Sequence, residues 1–421
     1  MSRLVMKFGG TSLADVERIR RVAAIVAAEA ATRPVAVVVS AMAGRTNELV
    51  AWVDSAGPPA PGLPPNDDEY DAVVSSGEQI TAGLLALVLR NRGVRARSYM
   101  GWQAPIRTDG AHGRARIESV DGERMAETLD SGVVAVIAGF QGVTDDGRIS
   151  TLGRGGSDTS AVAVAAALGA RCDIYTDVDG VFTTDPRIEA RARKLERVSY
   201  EEMLELASLG AKVLQTRSVE LAMAYRVPVR VLSSFVEPGQ SEGRGTIVCD
   251  EEEIVEKRIV SGVAYSRDEA KISLLGLPAK AGTPAEIFRR LSDANVNVDM
   301  IVQSRARSGD SVNMEFTVGR RDAQRTLELM QAGQAEIGFE EVRRDDEVAK
   351  VSVVGVGMRS HAGVAETMFR ALAERGVAIQ VISTSEIKIS VLIDAAYTEL
   401  AVRALHAAYG LDQVGEDAPV A

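Results

Sequence analysis

Between Leu4 and Ser233 the chain switches repeatedly between two hydrophobic periods. Leu4–Phe8, Val35–Ser40, Val133–Gly139 and Val229–Ser233 are short and mostly apolar, and Arg171–Tyr175 matches them in length. Such runs lack the in–out alternation of a half-exposed strand, so they read as strands buried on both faces. Between them lie longer stretches, Ala14–Thr32, Ser76–Arg92, Thr159–Leu168 and Tyr200–Leu209, whose apolar residues recur every three or four positions. That spacing predicts helices. Strands alternating with helices predict a mostly parallel sheet covered by helices on both faces. Gly57–Pro65 holds five prolines and is expected to be a surface loop.

Near residue 236 the pattern breaks. Glu237–Asp250 is rich in Gly, Ser, Glu and Pro, and Glu251–Glu253 is an acidic run, which marks a connection to a second unit. That unit repeats itself. Lys271-Ile-Ser-Leu-Leu-Gly276 matches Lys350-Val-Ser-Val-Val-Gly355; Gly282 then matches Gly363, Phe288 matches Phe369, and Val296-Asn-Val298 matches Val377-Ala-Ile379. The offset grows by two residues after the first match, so one copy carries a short insertion. Each copy reads strand, helix, strand, strand. The first helix is expected to open on a capping box, Thr283-Pro284-Ala285-Glu286, with proline at its first helical position.

Bulk properties narrow the function. A chain of 421 residues exceeds what one hydrophobic core usually supports. It is 46% hydrophobic and 25% charged, with a mean hydropathy near zero, ordinary values for a globular protein. The formal charge of −11 and pI of about 5.1 argue against nucleic acid or an anionic membrane as main partner. Cys172, Cys249, His112, His361 and His406 show no metal-ligand spacing. The N-terminus runs straight into a strand-like segment, without a signal-peptide pattern, and the longest apolar runs fall far short of about 20 residues. A cytoplasmic protein is expected.

Four segments could carry chemistry. Lys7-Phe-Gly-Gly-Thr-Ser12 ends the first strand and precedes a helix. Its glycines would let backbone amides approach phosphate oxygens, and Lys7 would add a cation. Alone, it reads equally well as a tight turn capped by Ser12. Leu152-Gly-Arg-Gly-Gly-Ser-Asp-Thr-Ser160 offers a second amide cradle plus Arg154 for a carboxylate or phosphate, though Asp158 could simply cap the helix. Tyr175-Thr-Asp-Val-Asp-Gly-Val-Phe-Thr-Thr-Asp-Pro-Arg187 follows a strand, where α/β sheets bind ligands, but is also turn-rich. Gly210-Ala-Lys212 closes a helix, where a lysine also complements the dipole. Glu48 and Glu78 add carboxylates near helix starts. No Walker-type P-loop occurs.

In their order along the chain, Lys7-Phe-Gly-Gly-Thr-Ser12, Ser40-Ala-Met42, Ser76-Gly-Glu78, Ala138-Gly-Phe-Gln-Gly-Val143, Thr151-Leu-Gly-Arg-Gly-Gly-Ser-Asp158, Tyr175-Thr-Asp-Val-Asp-Gly180 and Gly210-Ala-Lys212 closely resemble the aspartate kinase family. The resemblance continues through Leu274–Gly276 and Ile382-Ser-Thr-Ser-Glu386. It implies an α/β amino-acid-kinase (carbamate-kinase-like) parallel-rich sandwich over 1–245, followed by two α+β ACT domains (βαββαβ) over 262–340 and 346–421. The implied activity is monofunctional and ATP-dependent: phosphorylation of the side-chain carboxylate of L-aspartate to 4-phospho-L-aspartate, the first step toward lysine, threonine, methionine and diaminopimelate.

Carried over by motif, Lys7, Phe8, Gly9, Gly10, Ser40, Thr176, Asp177, Phe182, Thr183, Thr184, Asp185, Pro186, Arg187 and Lys212 would hold ATP, with Mg2+ carried by the nucleotide. Thr46, Asn47, Glu48, Glu78, Arg154, Gly155, Gly156, Ser157 and Asp158 would hold aspartate, Glu78 at its amino group and Arg154 at its α-carboxylate. Lys7, Lys212 and Arg154 would be the catalytic cations. Lysine or threonine would act as effector near Gly282, Asn297, Val298, Asp299 and Gln303 of the first repeat and Val364, Ala365, Ala378, Ile379, Ser385 and Glu386 of the second. The ACT domains would support a homo-oligomer or a complex with a shorter ACT-only subunit. The chain departs from the family at Ala279-Lys-Ala-Gly282, where relatives carry an aspartate, and at Ala365, where they often carry threonine. Another carboxylate kinase of the same fold, acting on glutamate or acetylglutamate, and a catalytically dead amino-acid-binding regulator remain as alternatives.

Overall fold

The computed structural model describes residues 2–60, 63, 65–104, 106–209, 213–254, 259–305 and 311–413. The chain divides into two compact units. One takes the residues up to Val181, resumes over Lys194–Ser208, and continues over 213–254; the other takes Phe182–Arg193 and the described residues from 259 onward.

The elements of the first unit, in chain order, are β1 (Leu4–Phe8), α1 (Val16–Ala30), β2 (Val35–Val39), α2 (Arg45–Ala56), α3 (Asp67–Val74), α4 (Ser76–Asn91), β3 (Ala96–Tyr99), β4 (Ile106–Thr108), β5 (Ile117–Val120), α5 (Gly122–Asp130), β6 (Val134–Ala138), β7 (Gln141–Val143), β8 (Ile149–Thr151), α6 (Gly156–Leu168), β9 (Arg171–Thr176), β10 (Arg197–Ser199), α7 (Tyr200–Ser208), α8 (Thr216–Ala224), β11 (Val229–Ser233) and β12 (Thr246–Cys249). An eight-stranded sheet runs β10-β12-β11-β9-β1-β2-β6-β3. Every neighbouring pair is parallel except β11 with β12. A small sheet, β5-β4-β7-β8, adjoins it in sequence.

The strand alternation decides which side chain goes where. Leu4, Met6 and Phe8 of β1 and Val35, Val37 and Val39 of β2 join Ile19, Val22 and Val26 of α1 and Leu85 and Leu89 of α4 in one core. The intervening Val5 and Lys7 therefore face the opposite side, where α6 packs against β1 and β2. The expected strands and helices appear within about two residues of their predicted ends, apart from α6, whose first turn begins at Gly156. α3 and α4 together span 25 residues, which include an 18-residue stretch apolar enough by composition to cross a membrane, but 56% of that stretch is buried within the unit, as befits a core helix.

Two corrections concern helix starts. Asp15, not Ser12, caps α1 by accepting from the Arg18 amide at 2.8 Å; Ser12 lies inside a short 3-10 turn. Asp158 does not cap α6. The N-cap is Gly155 in the left-handed region, and Asp158 lies in the first turn, free to pair elsewhere.

The second unit contains β13 (Gly262–Ser266), β14 (Ala270–Pro278), α9 (Thr283–Asp293), β15 (Val298–Arg305), β16 (Ser311–Val318), α10 (Arg320–Ile337), β17 (Glu341–Asp345), β18 (Val348–Val354), α11 (Val364–Ala373), β19 (Ile379–Thr384), β20 (Lys388–Asp394) and α12 (Thr398–Ala408). The repeats give two antiparallel four-stranded sheets, β15-β16-β14-β17 and β13-β18-β20-β19. β13 precedes the first repeat but pairs with β18 of the second, from Gly262 opposite Val354 to Ser266 opposite Lys350. Each sheet packs its helices on one face, around Phe316 and Leu291 in the first and Met368 and Leu405 in the second. The expected capping box does not form. Gly282 is the N-cap of α9, the Thr283 hydroxyl donates to the Pro278 carbonyl at 3.1 Å, and the Glu286 carboxylate pairs with Arg290 at 2.8 Å. A charged guanidinium one turn on is a stronger partner for Glu286 than a backbone amide.

In the large sheet, the fully buried carboxylate of Asp173 on β9 receives the Arg230 guanidinium from β11 and, at 2.9 Å, that of Arg171. Removing one member of a buried pair leaves the other charge uncompensated. Asp173→Ala is expected to destabilise the first unit by about 3–5 kcal/mol, read as a lowered urea midpoint; an unchanged midpoint would show that solvent reaches Arg230.

Candidate active site

The carboxyl ends of β1, β2 and β6 open onto a cavity of about 350 Å3. It is lined by Lys7 and Gly10 after β1, Ser40 through Gly44 after β2, Thr46 and Asn47 at the start of α2, Glu78 at the start of α4, Phe140, and Gly153 through Asp158 ahead of and inside the first turn of α6. Parallel sheets bind ligands at this edge, where the loops leaving the strand ends part and leave a crevice.

Close backbone approach builds the walls. A Cβ on Gly10 would meet the Ala41 carbonyl at 2.9 Å, and one on Gly77 would meet Ala41 Cβ at 2.8 Å. Gly139 faces Val38 and Ser157 at 2.9 and 3.0 Å in the same way. Gly153 (φ 73°) and Gly155 (φ 74°) turn the chain into α6 through the left-handed region, which larger residues resist.

Lys7 reaches across to α6, and its Nζ lies 2.6 Å from Asp158 Oδ1, with both side chains about one-tenth exposed. Nearby, Glu78 is 4% exposed. Its Oε1 accepts the Ala41 amide at 2.9 Å, while its Oε2 has no hydrogen-bond partner. Burial pushes the Glu78 carboxyl up to about 7, against the lowering effect of that amide. Arg154 lies exposed at the rim, and no described carboxylate pairs with it. The cavity thus presents a fixed cation, a rim guanidinium and a buried carboxyl with one unsatisfied oxygen. This set matches a zwitterion carrying a further anionic arm.

Eleven of the residues expected to hold ATP or aspartate converge here, among them all of the expected aspartate set but Glu48: Lys7, Gly10, Ser40, Thr46, Asn47, Glu78, Arg154, Gly155, Gly156, Ser157 and Asp158. Gly9 sits beside Lys7, its amide donating to the Tyr175 carbonyl. Thr176 and Asp177 lie at the end of β9, the strand next to β1. Glu48 does not line the cavity; it pairs with Arg45 at 2.6 Å on the exposed side of α2. The Phe8 side chain stacks on Tyr175 with ring centroids 4.5 Å apart, fully buried, so only its backbone is available. Phe182–Arg187 belong to the second unit. There the Thr183 carbonyl accepts the Val263 amide, the Thr183 hydroxyl lies 2.9 Å from His406 Nε2, and Asp185 accepts from the Tyr265 hydroxyl. Lys212 lies outside the described residues. Ala41, Met42, Ala43, Gly44 and Phe140 also line the cavity without having been assigned a role, and so does Gly153, which the sequence placed only in the second glycine-rich segment. Gly44 and Gly153 carry the signal that could have found them, a glycine between a buried strand and a helix.

In the second unit a cavity of about 370 Å3 is lined by Leu277 through Ala281, Thr283, Pro284, Gln303 through Arg305, Val312 and Met314. Of the expected effector positions, Gln303 lines it and Gly282 caps the adjoining helix. Asp299 is instead paired with Lys350 at 2.6 Å, and Val364, Ala365 and Ile379 pack into the second repeat's core.

Residues 2–233 match the amino acid kinase family model, and 272–332 and 351–409 match an ACT domain model. An aspartate kinase of Stutzerimonas stutzeri is 52% identical over 415 residues, covering 98% of both chains, and an aspartokinase of Pseudomonas aeruginosa is 52% identical over 416. This chain belongs to the aspartate kinase family. In structure it resembles Escherichia coli aspartokinase III in complex with aspartate and ADP, with a TM-score of 0.78 and 29% identity over 96% of this chain and 99% of that one. The aspartate kinase fold thus places the cavity where its glycine loops meet.

The raised Glu78 carboxyl can be read directly. In a carbon-detected NMR titration its resonance is expected to move with a midpoint near pH 7 and to vanish in Glu78→Gln, whereas ordinary glutamates ionise near about 4.3. Since the folded value lies above the ordinary one, the stability Glu78 contributes is full below 4.5 and is lost as pH rises through about 7. A midpoint near 4.5 would show that water reaches Oε2.

Proposed function

We propose that this chain transfers the γ-phosphoryl group of ATP to the β-carboxylate of L-aspartate in the cavity between β1, β2, α4 and α6. The observation that carries this reading is the pairing of a buried, half-satisfied Glu78 with a rim arginine, two opposite charges suited to an amino acid's ammonium and α-carboxylate. Lys7 and the amides of Gly10 and Gly155 would face the anionic centre between the reactants. The β-carboxylate of aspartate is ionised at neutral pH, so attack on phosphorus needs no general base. Catalysis is then positioning and charge stabilisation. In the free enzyme Asp158 holds Lys7 in place, so that its ammonium would already stand beside the transferring phosphoryl oxygens as negative charge builds on them, with no reorganisation needed.

Magnesium would be carried on the nucleotide phosphates, where it would help to neutralise their charge. The nucleotide role of Thr176, Asp177, Phe182–Arg187 and Lys212 and the substrate role of Thr46, Asn47, Ser157 and Asp158 are part of the same proposal. Escherichia coli aspartokinase III has also been solved with lysine and aspartate. By that likeness the two repeats are read as ACT domains that sense an end-product amino acid, the first inserted between β13 and β18 of the second. Assembly through these domains and a cytoplasmic setting complete the reading.

ADP release measured with L-aspartate, L-glutamate and acetylglutamate is expected to respond to aspartate alone. Lys7→Ala should lower kcat by about a hundredfold or more with little change in the KM for ATP. Arg154→Ala should raise the KM for aspartate by about a hundredfold. If glutamate serves equally, or either variant turns over normally, the assignment fails. Because the ammonium group prefers ionised Glu78, the KM for aspartate should fall about tenfold from pH 6 to pH 8, and Glu78→Gln should abolish that slope.

A further inference from the structure

Asp71 on α3 is completely buried, yet it lines neither cavity and no step above uses it. A buried carboxylate must be paid for by its partners, and its partners are informative. Asp71 accepts the Thr151 amide at 2.9 Å and the Thr151 hydroxyl, both from the end of β8. It also accepts the Gly113 amide at 3.0 Å, and His112 Nδ1 lies 2.8 Å from its Oδ2. The chain leaving Thr151 runs through Leu152 and Gly153 directly to Arg154. The helix leaving Asp71 runs through Ser75 directly into α4 and reaches Glu78 seven residues, or two turns, later.

The same junction is held a second time. Gln141 on β7 is fully buried; its Nε2 donates to the Ser75 carbonyl at 3.0 Å, and its Oε1 accepts from Gln79 at 3.2 Å. β7 pairs with β8. On the other side, the Gly113–Arg114 turn that Asp71 holds packs under Gly153, whose added Cβ would meet the Gly113 carbonyl at 3.2 Å. Arg217 completes the clamp by donating to the Leu152 carbonyl and the Ala115 carbonyl, both at 2.7 Å.

We infer that Asp71 is a positioning residue for substrate recognition: through Thr151 and Gly113 it fixes the distance between Arg154 and Glu78, and so how tightly the cavity grips the α-carboxylate and ammonium of the amino acid. This rests on the proposed roles of those two residues. Asp71 touches no reactant. It sets where two opposite charges stand, one on a rim loop that has no partner of its own and one on a helix start. A displacement of about 1 Å between such groups is enough to spoil binding of a rigid zwitterion.

Asp71→Asn keeps the size but turns one acceptor into a donor facing the Thr151 amide. Thr151→Val keeps that amide and the volume and removes only the hydroxyl bond, so it serves if Asp71→Asn does not fold. In steady-state ADP release from the full chain, Asp71→Asn is expected to raise the KM for aspartate about tenfold and Thr151→Val about threefold, with kcat and the KM for ATP within twofold of the parent. In an Arg154→Ala background, Asp71→Asn should add nothing further. If Arg154→Ala alone leaves the KM for aspartate unchanged, the substrate role of Arg154 falls and this inference with it. If Arg154→Ala raises that KM but Thr151→Val does not, or if Asp71→Asn multiplies the effect of Arg154→Ala in full or lowers kcat and the ATP KM alike, the positioning role alone is overturned.

Discussion

The ion pair between Lys7 and Asp158 joins the sheet to the helix that closes the cavity, and the rest of the site is arranged around it. It exists because β1 alternates. Leu4, Met6 and Phe8 are drawn to the α1–α4 core, so Lys7 must emerge on the α6 side, one residue before the strand ends. Gly155 then lets α6 begin close enough for Asp158, in its first turn, to reach the ammonium. A charge pair this shielded is held by strong electrostatics, so the ammonium is fixed in position before any ligand arrives.

Glu78 shows the opposite use of burial. Its helix enters so near the loop after β2 that only glycine fits at position 77, and the carboxyl comes to rest against the Ala41 amide with one oxygen unserved. Burial without full pairing raises its affinity for a proton. On the proposed reading an arriving ammonium group would supply the missing partner, so the same desolvation that penalises the empty site would favour the filled one, and the cavity would select by what it lacks: a cation at Glu78 and an anion at Arg154.

In the second unit, one repeated sequence yields two similar sheets, but the chain does not close each repeat on itself. β13 completes the sheet of the second repeat and β17 that of the first. The segment Phe182–Arg193 also belongs to this unit, anchored by Val263, Tyr265 and His406. Residues that motif comparison grouped with nucleotide binding are thus built into the scaffold of the ACT repeats.

Element order, strand limits and the clustered glycine loops were legible in the sequence because they rest on local causes: β-branched runs, helical periodicity and glycine before a helix start. The repeat at Lys271 and Lys350 was equally plain, since it needs only comparison of the chain with itself. The motifs, through their order and spacing, named most of the cavity, including Lys7, Glu78 and Arg154. What the sequence could not say was which way each carboxylate would turn. Glu48 and Glu78 both stand near helix starts, yet one pairs outward with Arg45 and the other is sealed against Ala41. Asp71 carried no motif at all, because its partners, Thr151 and Gly113, are far away in the chain and meet it only when α3 packs on β8. Local propensity fixes elements one at a time; burial and the pairing of charges depend on neighbours that only the folded sheet brings together.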